Sequence, residues 1–120
     1  MTKPIQIRMG GYGPPTTGFS KALKFIGDKL RAEFGPRLAI DYVWNIMDHG
    51  HKAEDILTLV ENGEMTLGYQ SSSYLTDRVP ELGFVDLPFL FANNAQARGA
   101  MDGALGQHLA RKTEERINYR

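Results

Sequence analysis

The 120-residue sequence lacks cysteine, an excess of either charge and any long apolar run. Without cysteine there is no disulfide, thiolate metal site or cysteine nucleophile, and such a chain suits a reducing or an oxidising compartment equally. Basic and acidic residues number 14 each, so no net field attracts nucleic acid or an anionic membrane. No segment has the roughly 18 apolar residues of a membrane helix, and Met1–Lys3 leads into a strand without a signal-peptide core. We expect a cytosolic chain or one whose leader has been removed.

Three apolar segments predict strands. Pro4–Met9 and Leu38–Trp44 alternate apolar with polar residues, and Met65–Tyr69 is a third apolar run. Leu82–Val85 could form a fourth short strand, and Ile117 and Tyr119 resemble the start of another. Because helical segments separate the strands, we expect an α/β fold with a mainly parallel, doubly wound sheet.

The intervening segments have the period of amphipathic helices. A long helix is predicted from about Thr17 to the stop at Gly35-Pro36, a short helix ends at Gly63, and Asn94 is the predicted N-cap of a third. The residues expected to face inward are Phe19, Ala22, Leu23, Ile26, Leu30 and Phe34 in the first helix, Ile56, Leu57, Leu59 and Val60 in the second, and Ala97, Met101, Ala104, Leu105 and Leu109 in the third.

Polar and glycine-rich segments follow the three predicted strands. They are Gly10–Thr17, Asn45–Asp48 and Gln70–Tyr74, and ligands of open α/β sheets bind at the carboxyl ends of strands. The last segment, Gln-Ser-Ser-Ser-Tyr, has another interpretation, in which its hydroxyls cap a short helix reaching Asp77. Both interpretations can hold, since a helix N-terminus also suits a carboxylate. The pattern indicates binding rather than chemistry.

The glycines after the first strand suggest a nucleotide loop, but the match is incomplete. Gly11-Tyr12-Gly13 begins the G-x-G-x-x-G pattern, whereas Thr16 stands at the third glycine position and Pro14-Pro15 have no N–H for a pyrophosphate. The second strand ends in Trp44-Asn45 instead of an acid for a ribose. We therefore expect a rigid loop and no nucleotide cofactor.

Neither metal ligation nor acyl transfer is well supported. His49 and His51 lie on a polar loop with only two imidazoles, fewer than a metal site needs locally. The serines of Gln70–Tyr74 are not set in a G-x-S-x-G elbow. We expect no metal and no catalytic residue, and the apolar residues of Phe84–Phe91 are expected to lie mostly in the core. Because Leu87 precedes Pro88, an extended turn is expected there.

An ordered set of motifs resembles a known family. Val79–Phe91 contains a Pro-Glu-hydrophobic sequence, a short segment and a Leu-Pro-Phe turn; Ile56–Gly63 precedes the third strand, and Gly106 and Leu109 follow in a later helix. These features resemble the solute-binding proteins of tripartite ATP-independent periplasmic (TRAP) transporters, of the C4-dicarboxylate-binding type. The resemblance extends along nearly the whole chain.

The resemblance implies one half of a longer, two-lobed protein. It implies that residues 1–120 are the N-terminal lobe of a truncated periplasmic chain whose leader is absent. The family's arginine that grips the substrate carboxylate lies in the second lobe, and neither Arg78 nor Arg98 matches it. Some relatives have an acid where Ser71 stands, so a hydroxylated or keto acid is plausible here. The ligand-binding residues implied are Tyr12, Asn45, Gln70, Ser71, Ser72 and Tyr74.

The expected function is that of a non-enzymatic receptor without a cofactor. By the resemblance it captures a small organic acid (a dicarboxylate, keto or sugar acid) for the membrane permease subunits of the transporter. A single lobe would expose its covered face and could self-associate. Two alternatives remain: a small cytosolic doubly wound enzyme or signalling domain, and an interaction domain that docks through 84–91.

Overall fold

The computed structural model describes residues 3–117 of the chain. These residues divide into two compact units, one up to Gln70 and one from Ser71. Each unit has its own buried residues. Across residues 3–117 no helix is both long and apolar enough to cross a membrane.

The first unit is built on a three-stranded parallel sheet. Strands β1 (Ile5–Gly10) and β2 (Leu38–Val43) pair in register from Ile5 opposite Leu38 to Gly10 opposite Val43. The short strand β3 (Leu67–Gly68) pairs with the end of β1, giving the order β2-β1-β3. The parallel sheet predicted from the alternation of strands and helices is therefore confirmed.

Helix α1 (Gly18–Phe34) covers one face of this sheet. Thr17 caps it by accepting a hydrogen bond from the Ser20 N–H, and Gly35 ends it at φ 54°. The predicted apolar stripe is wrong in part, because the buried residues are Ser20, Leu23 and Gly27. Two of these positions have small residues because tyrosine side chains lie against them: Tyr42 lies against Gly27, and Tyr69 lies against Ser20. The exposed apolar side chains of the helix include Phe19, Phe25, Ile26 and Phe34.

Helix α2 (Ile56–Glu61) belongs to the core of the other face. Its residues Ile56 and Leu59 form a buried cluster with Ile46 and Met65, against which Val43 of β2 packs. Gly10 lies against this cluster, because a Cβ there would meet the end of the Met65 side chain at 2.5 Å. With α1 and α2 on opposite faces, the sheet is doubly wound.

The second unit begins with two short 3₁₀ helices. They span Ser72–Leu75 and Pro80–Asp86. The second replaces the predicted strand Leu82–Val85, which is wrong. Pro80 stands at its first position, and Leu82 N–H donates to the Val79 carbonyl at 3.0 Å. Leu87 before Pro88 is extended, with φ −64° and ψ 134°, as predicted.

Two helices complete the second unit where one was predicted. Helix α3 (Asn94–Asp102) is capped by Asn93, one residue before the predicted cap, and α4 (Ala104–Arg116) follows Gly103. Gly103 has a non-helical backbone, φ −107° and ψ −145°, that interrupts the helix. Leu109 is buried as predicted, and the other buried apolar residues of this unit are Val79, Leu82 and Ile117.

Two further expectations concern apolar residues of the second unit. Phe84, Leu87 and Phe89 are 46%, 51% and 100% exposed, so the core prediction is wrong for these three. Phe89 also has a left-handed backbone, φ 61°. Ile117 is extended, while Tyr119, the second residue of the predicted final strand, lies outside the described residues.

Candidate functional site

The sheet order places a switch point beside the central strand. The chain runs from β1 to β2 on one side and then to β3 on the other. Ligand crevices of doubly wound sheets open where such a reversal occurs, at the carboxyl ends of the strands. Here the crevice lies between the loop after β1 and the segment after β3, which brings Gly11–Gly13 close to Tyr69.

The Tyr69 side chain fills this crevice. A Cβ at Gly11 would lie 2.1 Å from Tyr69 Cε1, so only glycine fits under the ring. The ring of Tyr69 also meets that of Tyr12 edge-on at 5.1 Å and that of Phe19 at 5.4 Å. The glycine therefore accommodates an aromatic ring in the place where a nucleotide-binding loop brings its backbone close to a phosphate.

A chain of hydrogen bonds runs through the same place. The Tyr12 N–H donates to Tyr69 Oη at 3.2 Å, and Tyr69 Oη lies 3.2 Å from Ser20 Oγ. Ser20, which is fully buried, donates from its hydroxyl to the Gly13 carbonyl at 2.9 Å. The loop, the first turn of α1 and the end of β3 are thereby joined.

Tyr12 and Asn45 are brought together as the sequence predicted for the ends of neighbouring strands. They form an antiparallel bridge, supported by the Ile46 N–H bonded to the Gly11 carbonyl at 2.9 Å. The Asn45 Oδ1 accepts from the Met47 N–H at 3.1 Å and caps the short helix that follows. The amide oxygen of Asn45 is therefore used within the loop. The Nδ2 group is the part of this side chain that can donate a hydrogen bond to a ligand.

Gln70 follows β3 with its amide anchored on one side only. Its Nε2 donates to the Glu54 carbonyl at 3.1 Å. Its Oε1 is buried and, within residues 3–117, accepts no hydrogen bond. The Gln70 amide is therefore held against the Glu54 backbone, with its oxygen enclosed by the protein.

The remaining predicted residues belong to the second unit. Ser71 is the N-cap residue of the helix Ser72–Leu75, with its Oγ 2.8 Å from Ser73 Oγ. The Tyr74 N–H donates to the Ser71 carbonyl at 3.1 Å, and the Tyr74 ring is 42% exposed. Ser72 is half-buried. The short helix of the alternative interpretation is present, but the Ser71 side chain makes no capping hydrogen bond to it.

An open cleft of about 340 Å³ lies elsewhere on the first unit, on the face of α2. Arg8 and Asp41 of its lining form an ion pair at 3.4 Å, and His51 Nδ1 lies 3.7 Å from Asp55, which is outside the lining. No group of three or more potential ligands within residues 3–117 could hold a metal ion. None of the predicted site residues lines this cleft.

Sequence reasoning missed Tyr69 and Ser20. In the sequence, Tyr69 is the last residue of a predicted strand and Ser20 interrupts an apolar stripe, so neither pattern marks a residue of a site. The sequence signal for Tyr69 is the pair of glycines on either side of Tyr12, Gly11 and Gly13. Glycines at such positions indicate that a bulky group packs closely against the backbone.

Comparison with known proteins places the chain among solute-binding proteins. A family model described as bacterial extracellular solute-binding protein, family 7, matches residues 38–120. A solute-binding protein of Verminephrobacter eiseniae (strain EF01-2) is 42% identical over 50 residues, 42% of this chain and 15% of that protein.

Two crystal structures share the fold. A TRAP periplasmic solute-binding protein of Polaromonas sp. JS666, bound to D-erythronate, is 25% identical with a TM-score of 0.79, covering 92% of this chain and 36% of that one. The sugar acid binding protein of Advenella mimigardefordensis strain DPN7T, in complex with galactonate, is 24% identical with a TM-score of 0.84, covering 95% and 36%. The chain thus spans little more than a third of either crystallised protein.

Proposed function

The chain belongs to family 7 of the bacterial extracellular solute-binding proteins, and we propose that it forms the first lobe of a periplasmic receptor for sugar acids. Family membership confirms the prediction of a solute-binding protein as opposed to an enzyme. The lobe assignment is supported by the 36% share of two crystallised relatives that the chain spans.

The chemistry of the candidate residues favours a hydroxylated acid over a C4-dicarboxylate. The side chains of Tyr12, Asn45 and Gln70 in the first unit, and of Ser71, Ser72 and Tyr74 in the second, are all neutral. Neutral donors and acceptors suit hydroxyl groups, whereas a dicarboxylate carries two negative charges that need cationic partners. The cation for the single carboxylate of a sugar acid would come from the second lobe.

The observation that carries this proposal is the neutral side-chain chemistry of Tyr12, Asn45 and Gln70 at the carboxyl ends of the strands. Amide and phenol groups both donate and accept hydrogen bonds, as do the hydroxyls of a sugar acid, whereas an ionised carboxylate only accepts. A polyhydroxy acid can therefore use the donors and the acceptors of these side chains, and succinate can use the donors alone. The D-erythronate and galactonate held by two crystallised relatives are acids of this class.

Binding by such a lobe would be completed by closure. In two-lobed receptors the ligand bridges groups that are apart in the open state, so affinity depends on contacts made only after closure. The closed receptor would deliver its acid to the membrane permease subunits of a TRAP transporter. We propose that this delivery takes place in the periplasm.

The test is a titration of galactonate, D-erythronate and succinate by calorimetry, on the 120-residue chain and on a chain extended to the length of its relatives. We expect the extended chain to bind at least one sugar acid more tightly than succinate, and the short chain to bind weakly. Tighter binding of succinate than of both sugar acids would contradict the proposal.

A variant tests the role of Gln70. Gln70→Met keeps the length of the side chain and removes the amide, including its bond to the Glu54 carbonyl. It should weaken sugar-acid binding about 3- to 10-fold, the value of one net hydrogen bond, and weaken succinate binding less. Gln107→Met, an exposed residue of α4, is the matched control and should alter neither. Equal losses for both acids would mean that Gln70 acts on the fold instead of on a hydroxyl.

A further inference from the structure

The hydrogen-bond chain at the switch point has a direction that the geometry determines. The Ser20 hydroxyl has one proton, and it is donated to the Gly13 carbonyl at 2.9 Å. In the 3.2 Å contact between Ser20 Oγ and Tyr69 Oη, Tyr69 must therefore be the donor. The lone pairs of Tyr69 are left to accept the Tyr12 N–H. Each of the three protons in this series of hydrogen bonds therefore has one acceptor.

This series of hydrogen bonds starts and ends in the loop after β1. It leaves the backbone N–H of Tyr12, passes through two hydroxyls from β3 and α1, and returns to the carbonyl of Gly13. The hydrogen bonds hold the peptide group before Tyr12 by its N–H and the peptide group after Gly13 by its carbonyl. They therefore restrict the backbone torsions of Tyr12 and Gly13 that lie between these two groups. A substitution at Gly11 would also displace the ring of Tyr69.

We propose that Tyr69 is a positioning residue of the ligand site: its hydroxyl, bonded to the Tyr12 N–H and the buried Ser20, holds the loop so that Tyr12 faces the ligand. This role rests on the proposed function insofar as Tyr12 binds the acid. It differs from ligand contact, because the Tyr69 hydroxyl is already engaged as both donor and acceptor within the protein.

Tyr69→Phe tests the proposal with two readouts. In the 120-residue chain, hydrogen exchange of the Tyr12 amide should accelerate about 10-fold or more, because that N–H loses its acceptor, while the Met9 amide in β1 should be unchanged. In the extended chain, the dissociation constant for galactonate should rise about 5- to 100-fold.

The control is Tyr42→Phe. The Tyr42 hydroxyl is buried and has no hydrogen-bond partner within residues 3–117, so the same atom is removed without breaking a bond. Neither Tyr12 exchange nor galactonate binding should change. Incorporating 3-fluorotyrosine at position 69 keeps both the ring and the hydroxyl, so Tyr12 exchange and galactonate binding should return to their wild-type values. This result would show that the hydroxyl, and not the packing of the ring, is responsible for both properties.

The outcomes are separable. Unchanged Tyr12 exchange in Tyr69→Phe, or equal acceleration in Tyr42→Phe, would overturn the positioning role. Faster Tyr12 exchange with unchanged galactonate affinity would also overturn it, because the loop would then be irrelevant to the ligand. If the wild-type extended chain binds neither sugar acid, the proposed function fails, and the exchange and its rescue still decide whether Tyr69 holds the loop.

Discussion

At the scale of single residues, a bidentate charged pair joins Glu81 to Arg116. The guanidinium donates to both carboxylate oxygens, at 2.5 and 2.9 Å, and Arg78 donates to the Arg116 carbonyl at 3.0 Å. Bidentate pairs of this kind are the more effective ion pairs of protein surfaces. The pair ties the 3₁₀ helix Pro80–Asp86 to the end of α4.

This pair makes the stability of the second unit depend on pH. The hydrogen bond from Arg116, followed by one from the backbone, holds the pKa of Glu81 below its usual value. A carboxyl whose pKa is lowered by folding contributes stability above its unfolded pKa, and the contribution is lost as pH falls through the lowered folded value. We expect Glu81→Gln to reduce stability at neutral pH and to flatten this acid limb.

Urea unfolding between neutral and acidic pH measures the effect. Glu114→Gln, an exposed residue of α4, is the control and should leave the acid limb intact. A parallel loss of stability at all pH values in Glu81→Gln would show that the charge of Glu81 is not what matters.

At the scale of elements, α1 and β2 approach through one glycine. A Cβ at Gly27 would lie 1.8 Å from the Tyr42 hydroxyl. Gly27→Ala should therefore destabilise the chain by about 1–3 kcal/mol through overpacking, although alanine favours a helix interior by about 1 kcal/mol. The measurement is the free energy of unfolding in urea.

A compensating variant and a control test the prediction for Gly27→Ala. Removing the hydroxyl by Tyr42→Phe should recover part of the loss, since the clash is with that atom. Gly99→Ala in α3, where the position of a Cβ is open, should instead stabilise by roughly 0.5–1 kcal/mol. Stabilisation by Gly27→Ala would mean that α1 and β2 are not packed as described.

The elements differ in how far the sequence predicted them. β1, β2 and α1 followed from period and caps, because their patterns are long and their ends are marked by Thr17 and Gly35. The buried face of α1 did not, since it depends on which side chains of the sheet, such as Tyr42, lie beneath it. Leu82–Val85 failed because a short apolar run is a strand only when a neighbouring strand accepts its hydrogen bonds.

The candidate site shows the same division. Tyr12 and Asn45 could be brought together from sequence because parallel strands end at one edge of a sheet. The unpaired oxygen of Gln70 and the hydroxyl chain of Tyr69 could not, since each depends on distances between residues far apart in sequence.

At the scale of the whole molecule, exposed apolar side chains are the notable feature. Phe19 and Phe25 in the first unit are 66% and 63% exposed, and Phe89 in the second is fully exposed. Contact with another chain would remove these side chains from water, which favours association. We expect the 120-residue chain to self-associate and the chain extended to the length of its relatives to do so less.

Sedimentation velocity over a range of concentrations checks this expectation. Phe89→Ser should reduce association of the short chain, while Ser73→Ala, in a polar segment, should not. A chain that stays monomeric at every concentration would contradict the prediction.

The ring of Tyr69 has one more consequence, for chemical control of the protein. Tyr69→Ala would leave a gap beneath Gly11 bounded by the aromatic rings of Tyr12 and Phe19. The Tyr12 N–H and the Ser20 hydroxyl also face this gap, so it offers a small molecule both aromatic walls and hydrogen-bonding groups. Added phenol has both the ring and the hydroxyl that the substitution removes. In this variant the conformation of the loop after β1 would therefore depend on the concentration of phenol.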